Sequence, residues 1–146
     1  MIRPLNENDR EIFISLLKEF YNSDAVIKPL PNSFYPEIFN KLLDTKSSAK
    51  GYLIESDGVV CGYGVINLTF SMEAGGDTLW LEDLYIRKDF RNKGLGKEYF
   101  NFIFSEYKGV RRFRLEVEDA NERAIKLYKS QGFEFLEYKQ MILDNF

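Results

Sequence analysis

Apolar positions recur along this chain at two different periods, and the switch between them outlines the elements. Ile2–Leu5 reads as a short strand. Ile12, Phe13, Leu16, Leu17 and Phe20 then return at the spacing of one helix face, and Asn8 with Glu11 three residues later has the form of a capping box. That helix is expected to end near Asn22. A segment with Pro29 and Pro31 leads to a second short helix carrying Ile38, Phe39, Leu42 and Leu43 on one face. From Gly51 the period changes. Gly51–Ser56 and Val59–Phe70 flank Asp57-Gly58, a strong signal for a two-residue type I′ hairpin turn. Glu73–Asp77 reads as a turn, and Thr78–Ile86 as a strand whose apolar content is Leu79, Leu81, Leu84 and Ile86. A helix follows from about Gly94 to Tyr107, with Leu95, Tyr99, Phe102 and Ile103 on one stripe. Arg111–Val117 alternates Phe113, Leu115 and Val117 as a strand. Asn121 caps a last helix that Gly132 terminates, and Phe133–Ile142 is expected to close the fold as a strand. The order βααβββαβαβ specifies an α/β (α+β) architecture: one mixed sheet with helices packed on its faces, in a single domain over residues 1–146.

Composition narrows the chemistry more than the fold. At 146 residues the chain can build a full core without disulfides or a structural metal. The net charge of −3 gives no bulk electrostatic reason to bind nucleic acid. One Cys fits a reducing, cytoplasmic setting, and Cys61, between Val60 and Gly62, reads as a small core residue. No apolar run approaches the ~20 residues needed to span a bilayer, and no signal-peptide hydrophobic segment opens the chain, so no membrane partner is expected. The absence of histidine excludes most. Ser-His-Asp triads, Cys-His pairs and histidine-containing zinc sites cannot be built from this chain, and no metal is expected. Proton transfer falls to carboxylates, Tyr, Lys or water.

The segment Arg91-Asn92-Lys93-Gly94-Leu95-Gly96-Lys97 carries the clearest chemistry. Gly94 and Gly96 let consecutive backbone N–H groups converge without Cβ obstruction, at a helix start where free donors and the helix dipole attract anions. Arg91, Lys93 and Lys97 add positive charge. The expected ligand is a phosphate or pyrophosphate. A Walker loop does not match, and a dinucleotide fingerprint would need a third glycine where Tyr99 stands.

Arg91-x-x-Gly94-x-Gly96 resembles the acyl-CoA-binding signature of the GNAT (GCN5-related N-acetyltransferase) superfamily. Downstream, Asn121, Ala124, Tyr128, Gly132 and Phe133 look like a second motif of that family. The resemblance implies a mixed, mostly antiparallel sheet of about six to seven strands with about four helices. It implies acetyl-CoA as co-substrate and no metal. The pantetheine arm would lie between splayed strands Thr78–Ile86 and Arg111–Val117, contacting Leu84, Tyr85 and Ile86. The phosphates would rest on Arg91–Lys97, with Asn121 and Ala124 beside them. In this resemblance Tyr128 is the general acid toward the CoA thiolate, a backbone N–H near Leu84 polarises the thioester carbonyl, and Glu82 is the best candidate base, through water. Direct attack by the amine needs no nucleophilic residue, which sets Cys61 aside.

Plainer roles stay open beside these. Tyr128 also suits a core aromatic, and Asn121 an ordinary helix cap. Strict alternation puts Glu82 and Asp83 on opposite faces, so only one meets a given cleft unless a bulge intervenes. Glu73, Asp77, Glu82, Asp83, Glu116, Glu118 and Asp119 favour a cationic amine acceptor. Leu81–Ile86 is also similar to the matching strand of diamine and polyamine N-acetyltransferases. Protein N-termini or lysines, amino acids and aminoglycosides remain as acceptors, an inert acyl-CoA-binding module remains as an alternative class, and a homodimer stays open.

Overall fold

The computed structural model describes residues 1–146. Its elements are β1 (Ile2–Pro4), α1 (Arg10–Tyr21), α2 (Phe34–Leu43), β2 (Ala49–Ser56), β3 (Val59–Ser71), β4 (Gly76–Ile86), α3 (Leu95–Glu106), β5 (Arg112–Leu115) and α4 (Glu122–Ser130). The strands lie in sequence order, antiparallel from β1 to β4, and β5 joins β4 in parallel. No helix is long and apolar enough to cross a membrane.

Alternation along the strands, interrupted on β3 by an extra residue at Cys61, builds two cores, one on each sheet face. Tyr52, Ile54, Cys61, Ile66, Leu79 and Leu81 pack with Leu95, Tyr99, Phe100 and Ile103 of α3. Leu53 and Tyr63 face the other way, onto Phe13, Leu16 and Leu17 of α1 and Tyr35, Phe39 and Leu42 of α2. Cys61 is buried, as its neighbours imply, and burial raises its thiol pKa. The Asp57-Gly58 turn has φ of 50° and 76°, the double left-handed geometry that a type I′ hairpin requires.

Three expectations fail. The first helix is preceded by a capping box two residues earlier than Asn8–Glu11. Asn6 accepts from the Asn8 N–H at 3.0 Å while Asp9 accepts from the Asn6 N–H at 2.8 Å. Arg3 decides this register by holding both Asp9 oxygens, at 2.8 and 2.9 Å. Second, the sheet has five strands, not six to seven. Third, and as the cause of the second, Phe133–Ile142 is not a strand. Phe133 packs on Phe100 and Phe104, but the residues after it join no ladder, and β5 is left as the edge of the sheet. The terminus is drawn instead to the α1–α2 connection, where Lys28 pairs with Asp144 at 2.9 Å and Phe34 meets Phe146. Apolar composition favours a strand only where a partner supplies the ladder.

Gly64 marks the tightest contact between sheet and helix. A Cβ there would collide with the ring and hydroxyl of Tyr99, which is fully buried under the strand. Gly64→Ala is expected to lower stability by about 1–3 kcal/mol through overpacking, read as a lower urea midpoint at unchanged slope.

Candidate active site

β4 and β5 pair only from Thr78–Leu81 against Arg112–Leu115. Past that point β4 runs on to Ile86 while the β5 chain turns away, and the two separate. The gap belongs to a cleft of about 1250 Å³, walled by β4, the start of α3, α4 and the α1–α2 connection. The Arg87 N–H donates to Cys61 at 2.8 Å, across to β3. By strand alternation the backbone groups of Leu84 and Ile86 therefore face the gap, where no strand answers them. Arg91 takes one of these, its Nε donating to the Ile86 carbonyl at 2.7 Å.

At the far end of the gap, α3 starts without a side-chain cap. Gly94 sits at φ 80°, and the first helical bond runs from the Glu98 N–H to the Gly94 carbonyl. The N–H groups of Leu95, Gly96 and Lys97 are left as free donors. Arg91, Lys97, Arg123 and Lys126 line the same region. This is an anion site with both dipole and charge in its favour, and it fits a pyrophosphate. Asn92, at φ 62°, lines it too. Lys93 does not; its ammonium stands 5.0 Å from the Phe90 ring centroid. The two glycines do different work. Gly94 meets nothing where a Cβ would be, so its positive φ is the constraint. At Gly96 a Cβ would lie 2.9 Å from Leu127 Cδ2, so α4 packs close against this position and the Leu127 side chain would have to shift for any larger residue.

The carboxylates lie at the other end. The β3–β4 register shifts between Val65 and Ile66, which pair with Asp83 and Leu81 and leave Glu82 as the extra residue. This bulge brings both Glu82 and Asp83 to the cleft, against the strict alternation of a regular strand. Glu82 stays exposed. Its pKa is raised, first by partial desolvation and then by the charge of Glu116. Asp83 is more enclosed. The Tyr63 hydroxyl donates to it at 2.9 Å and the Tyr21 hydroxyl at 3.2 Å, yet burial outweighs both and pushes its pKa up to about 6. Tyr21 reaches Asp83 because α1 is pinned to the end of β4. Arg87 holds Glu19 with Nη2 at 2.7 Å, and the Tyr85 hydroxyl donates to the same carboxylate at 3.2 Å.

Tyr128, on α4, lines the cleft with its ring edge-on to Phe100 at 5.8 Å. Its hydroxyl makes no hydrogen bond within the chain. Burial, with the charge of Asp83 behind it, raises its pKa and keeps the proton on. Asn121 caps α4, accepting from the Ala124 N–H at 3.2 Å, and both residues line the cleft. Apart from Lys93, every residue expected to hold the cofactor or take part in the chemistry is therefore brought to one cavity; of the acidic group, Glu82, Asp83, Glu116 and Glu118 line it and Glu73, Asp77 and Asp119 do not. Sequence reading missed Tyr21, Tyr63, Arg123 and Lys126. Arg123 and Lys126 had a readable signal, their spacing on the first turns of a capped helix, whereas Tyr21 and Tyr63 had none.

A family model for the acetyltransferase (GNAT) family matches residues 11–133. The chain belongs to that family. Thialysine N-epsilon-acetyltransferase of Sus scrofa is 34% identical over 135 residues, which cover 90% of this chain and 74% of that one. The Mus musculus protein of the same name is 36% identical over 81 residues, 53% of this chain and 47% of its own length. Among solved structures, a possible acetyltransferase from Clostridium difficile 630 superposes with a TM-score of 0.83 at 20% identity, covering 100% of this chain and 97% of that one. The aminoglycoside N-acetyltransferase AAC(6')-Iy, solved with CoA, gives 0.80 at 18% identity, covering 99% and 93%. This N-acetyltransferase thus shares its fold with proteins that hold CoA.

The raised pKa of Asp83 has a thermodynamic consequence. A folded value of about 6 against 3.8 unfolded means the native state holds the proton more tightly. Stability tied to this group is present below the unfolded value and is lost as pH rises through 6. The Asp83→Asn acetyltransferase should gain on wild type between pH 4 and 7.5, by up to about 3 kcal/mol. Paired urea titrations at the two pH values measure the gap, and a gap that narrows on raising pH contradicts the shift.

Proposed function

We propose that this acetyltransferase moves an acetyl group from acetyl-CoA to the primary amine of a small cationic acceptor, by direct attack in a ternary complex. Acetyl-CoA supplies the activated acyl group as a thioester; the remaining tasks fall to the chain. The free N–H groups of Leu95, Gly96 and Lys97, with the side chains of Arg91, Lys97, Arg123 and Lys126, bind phosphate oxygens. The backbone of Leu84 offers an amide-bearing arm the hydrogen bonds that a fifth-strand neighbour would otherwise take. Glu82, exposed and with a raised pKa, accepts the proton of the acceptor amine through water. Tyr128 holds its proton at Oη and delivers it to the leaving sulfur. Asp83, oriented by Tyr21 and Tyr63, supplies the negative potential that draws an ammonium to this end of the cleft.

One observation carries this reading over an inert acyl-CoA-binding module. The Tyr128 hydroxyl enters the same cavity as the two bulge carboxylates and has no partner of its own. A binding module would need neither. The thialysine N-epsilon-acetyltransferase relatives support an amine acceptor by their names.

The direct test is a panel of primary amines with acetyl-CoA, following free CoA thiol. Cationic amines should exceed uncharged-tail amines of equal length in kcat/KM, and the advantage should shrink with salt. Tyr128→Phe should lower kcat by about 10²–10⁴-fold while CoA affinity and the urea midpoint stay near wild type, because ring packing is kept and no internal hydrogen bond is lost. Wild-type turnover in this variant would remove Tyr128 from the proton transfer. Gly94→Val should weaken CoA binding by forcing a β-branched side chain to φ 80°, and unchanged binding by the folded variant would overturn the phosphate assignment.

A further inference from the structure

Asp83, Tyr85 and Arg87 occupy alternate positions at the end of β4 and just past it, and all three bond the last turn of α1. The Tyr21 hydroxyl donates to the Asp83 oxygens at 3.3 and 3.2 Å. The Tyr85 hydroxyl donates to Glu19, and so does the Arg87 guanidinium, with Nε at 3.0 Å and Nη2 at 2.7 Å. Arg87 is tied to β3 as well. Its N–H donates to the Cys61 carbonyl at 2.8 Å and its Nη1 to the Val60 carbonyl at 3.4 Å. The guanidinium is thus fixed by the sheet where it meets α1. The fully buried residues of α1 stop at Leu17, one turn short of Tyr21. Helix ends fray. Past Leu17 the helix is held by the partly buried rings of Phe20 and Tyr21 and by these polar contacts.

Asp83 depends on what that turn delivers. It has no ion-pair partner in the chain. Two hydroxyls donate to it, Tyr63 from β3 and Tyr21 from α1, and the like charge of Glu82 lies beside it on β4. Tyr99 on α3 and Tyr128 on α4 feel its charge behind the effect of their own burial. Tyr63 is set by strand pairing, opposite Tyr85. Tyr21 is set by where α1 ends. Half of the hold on this carboxylate therefore comes from outside the sheet.

We propose that Glu19 and Arg87 are positioning residues for the acceptor end of the cleft: their ion pair sets the last turn of α1 against β4, holds the Tyr21 hydroxyl on Asp83, and so presents that carboxylate to an incoming ammonium. The inference rests on the amine-acetylation reading above and deepens it. The clamp and the group it serves respond to pH in different ranges. The Arg87 guanidinium holds the Glu19 carboxyl below its ordinary range, whereas Asp83 gains and loses its proton at about 6. The ion pair is therefore intact wherever Asp83 titrates. Cutting it has a definite sign. A hydroxyl donated to a carboxylate favours the charged form, and its loss leaves burial and the Glu82 charge less opposed. Asp83 then keeps its proton to higher pH, and the acceptor loses its anion first on the acid side.

Carbon-13 NMR of aspartate carboxyls reads this in the protein without ligands, the Asp83 signal being the one missing from Asp83→Asn. Arg87→Met keeps the aliphatic stem and removes the ion pair; Tyr21→Phe removes only the hydroxyl. Each should raise the Asp83 midpoint by about half to one pH unit. The double variant should move it no further than Tyr21→Phe alone, because both act through one hydrogen bond. Arg87→Lys, which keeps the charge but not the paired donors, should fall between wild type and Arg87→Met. In turnover with 1,5-diaminopentane, Arg87→Met should lower kcat/KM about threefold to tenfold at pH 5.5, with the loss in KM, and meet wild type by pH 8.5. A merely structural role predicts a loss independent of pH. A midpoint that Arg87→Met leaves in place, or a further shift in the double variant, overturns the proposal. Midpoints that move as stated beside amine kinetics that do not follow them uphold the clamp and overturn the amine attraction assigned to Asp83 instead. The Arg87 and Glu19 side chains are 30% and 35% exposed, so folding is kept, and Arg87→Lys decides the matter where Arg87→Met loses structure.

Discussion

Beyond Leu81 and Leu115, β4 and β5 stop sharing hydrogen bonds, and the whole site hangs on that break. A parallel pair that continued to Ile86 would close the cleft and satisfy the backbone of Leu84 internally. The extra residue at Glu82 works against continuation, because a bulge bends and twists the strand that carries it. The same residue turns two consecutive carboxylates toward one cavity. A single local insertion therefore opens the backbone for a ligand and aims the acidic groups at it. The unanswered polar groups are tolerable because they face an open cleft rather than a dry core, and Arg91 already caps one of them.

The two ends of the cleft have opposite electrostatic character, and each rests on a different kind of support. At α3 the positive end is built from backbone N–H groups and a glycine at positive φ, so it depends on main-chain geometry. At the bulge the negative end is built from side chains, and Asp83 is costly to bury. Tyr63 comes from the neighbouring strand and Tyr21 from α1, and their hydroxyls offset part of that cost. The Glu19–Arg87 pair makes this arrangement rigid by fixing the end of α1 to the end of β4. Removing that ion pair would act on Asp83 at a distance, through the position of Tyr21.

Features legible in the sequence were those whose cause is local. Asp57-Gly58 demands positive φ at two adjacent residues whatever surrounds it. Gly94 opens a helix and Asn121 caps one by the chemistry of a few neighbouring positions. The half of the cleft at the start of α3 was readable for the same reason. The bulge was not, because it is a mismatch between two strands and neither strand records it alone. Tyr21 lies 62 residues from Asp83, and only the packing of α1 onto the sheet brings them together. Gly96 lines the cleft, as its spacing suggests, but its close neighbour Leu127 lies on a helix two elements away and is not readable from that spacing. Phe133–Ile142 has the composition of a strand, and composition alone does not bring a segment to an edge.

This division between local and long-range causes is also a division of function. In the proposed function CoA is met chiefly by main chain and by a short run of residues in one loop and helix start, so a compact motif can specify it. In the same reading the acceptor is met by side chains of the bulge and of α1, elements that share no sequence neighbourhood. That reading holds the donor site in the backbone, where variation is constrained, and the acceptor site in side chains, where variation costs less stability.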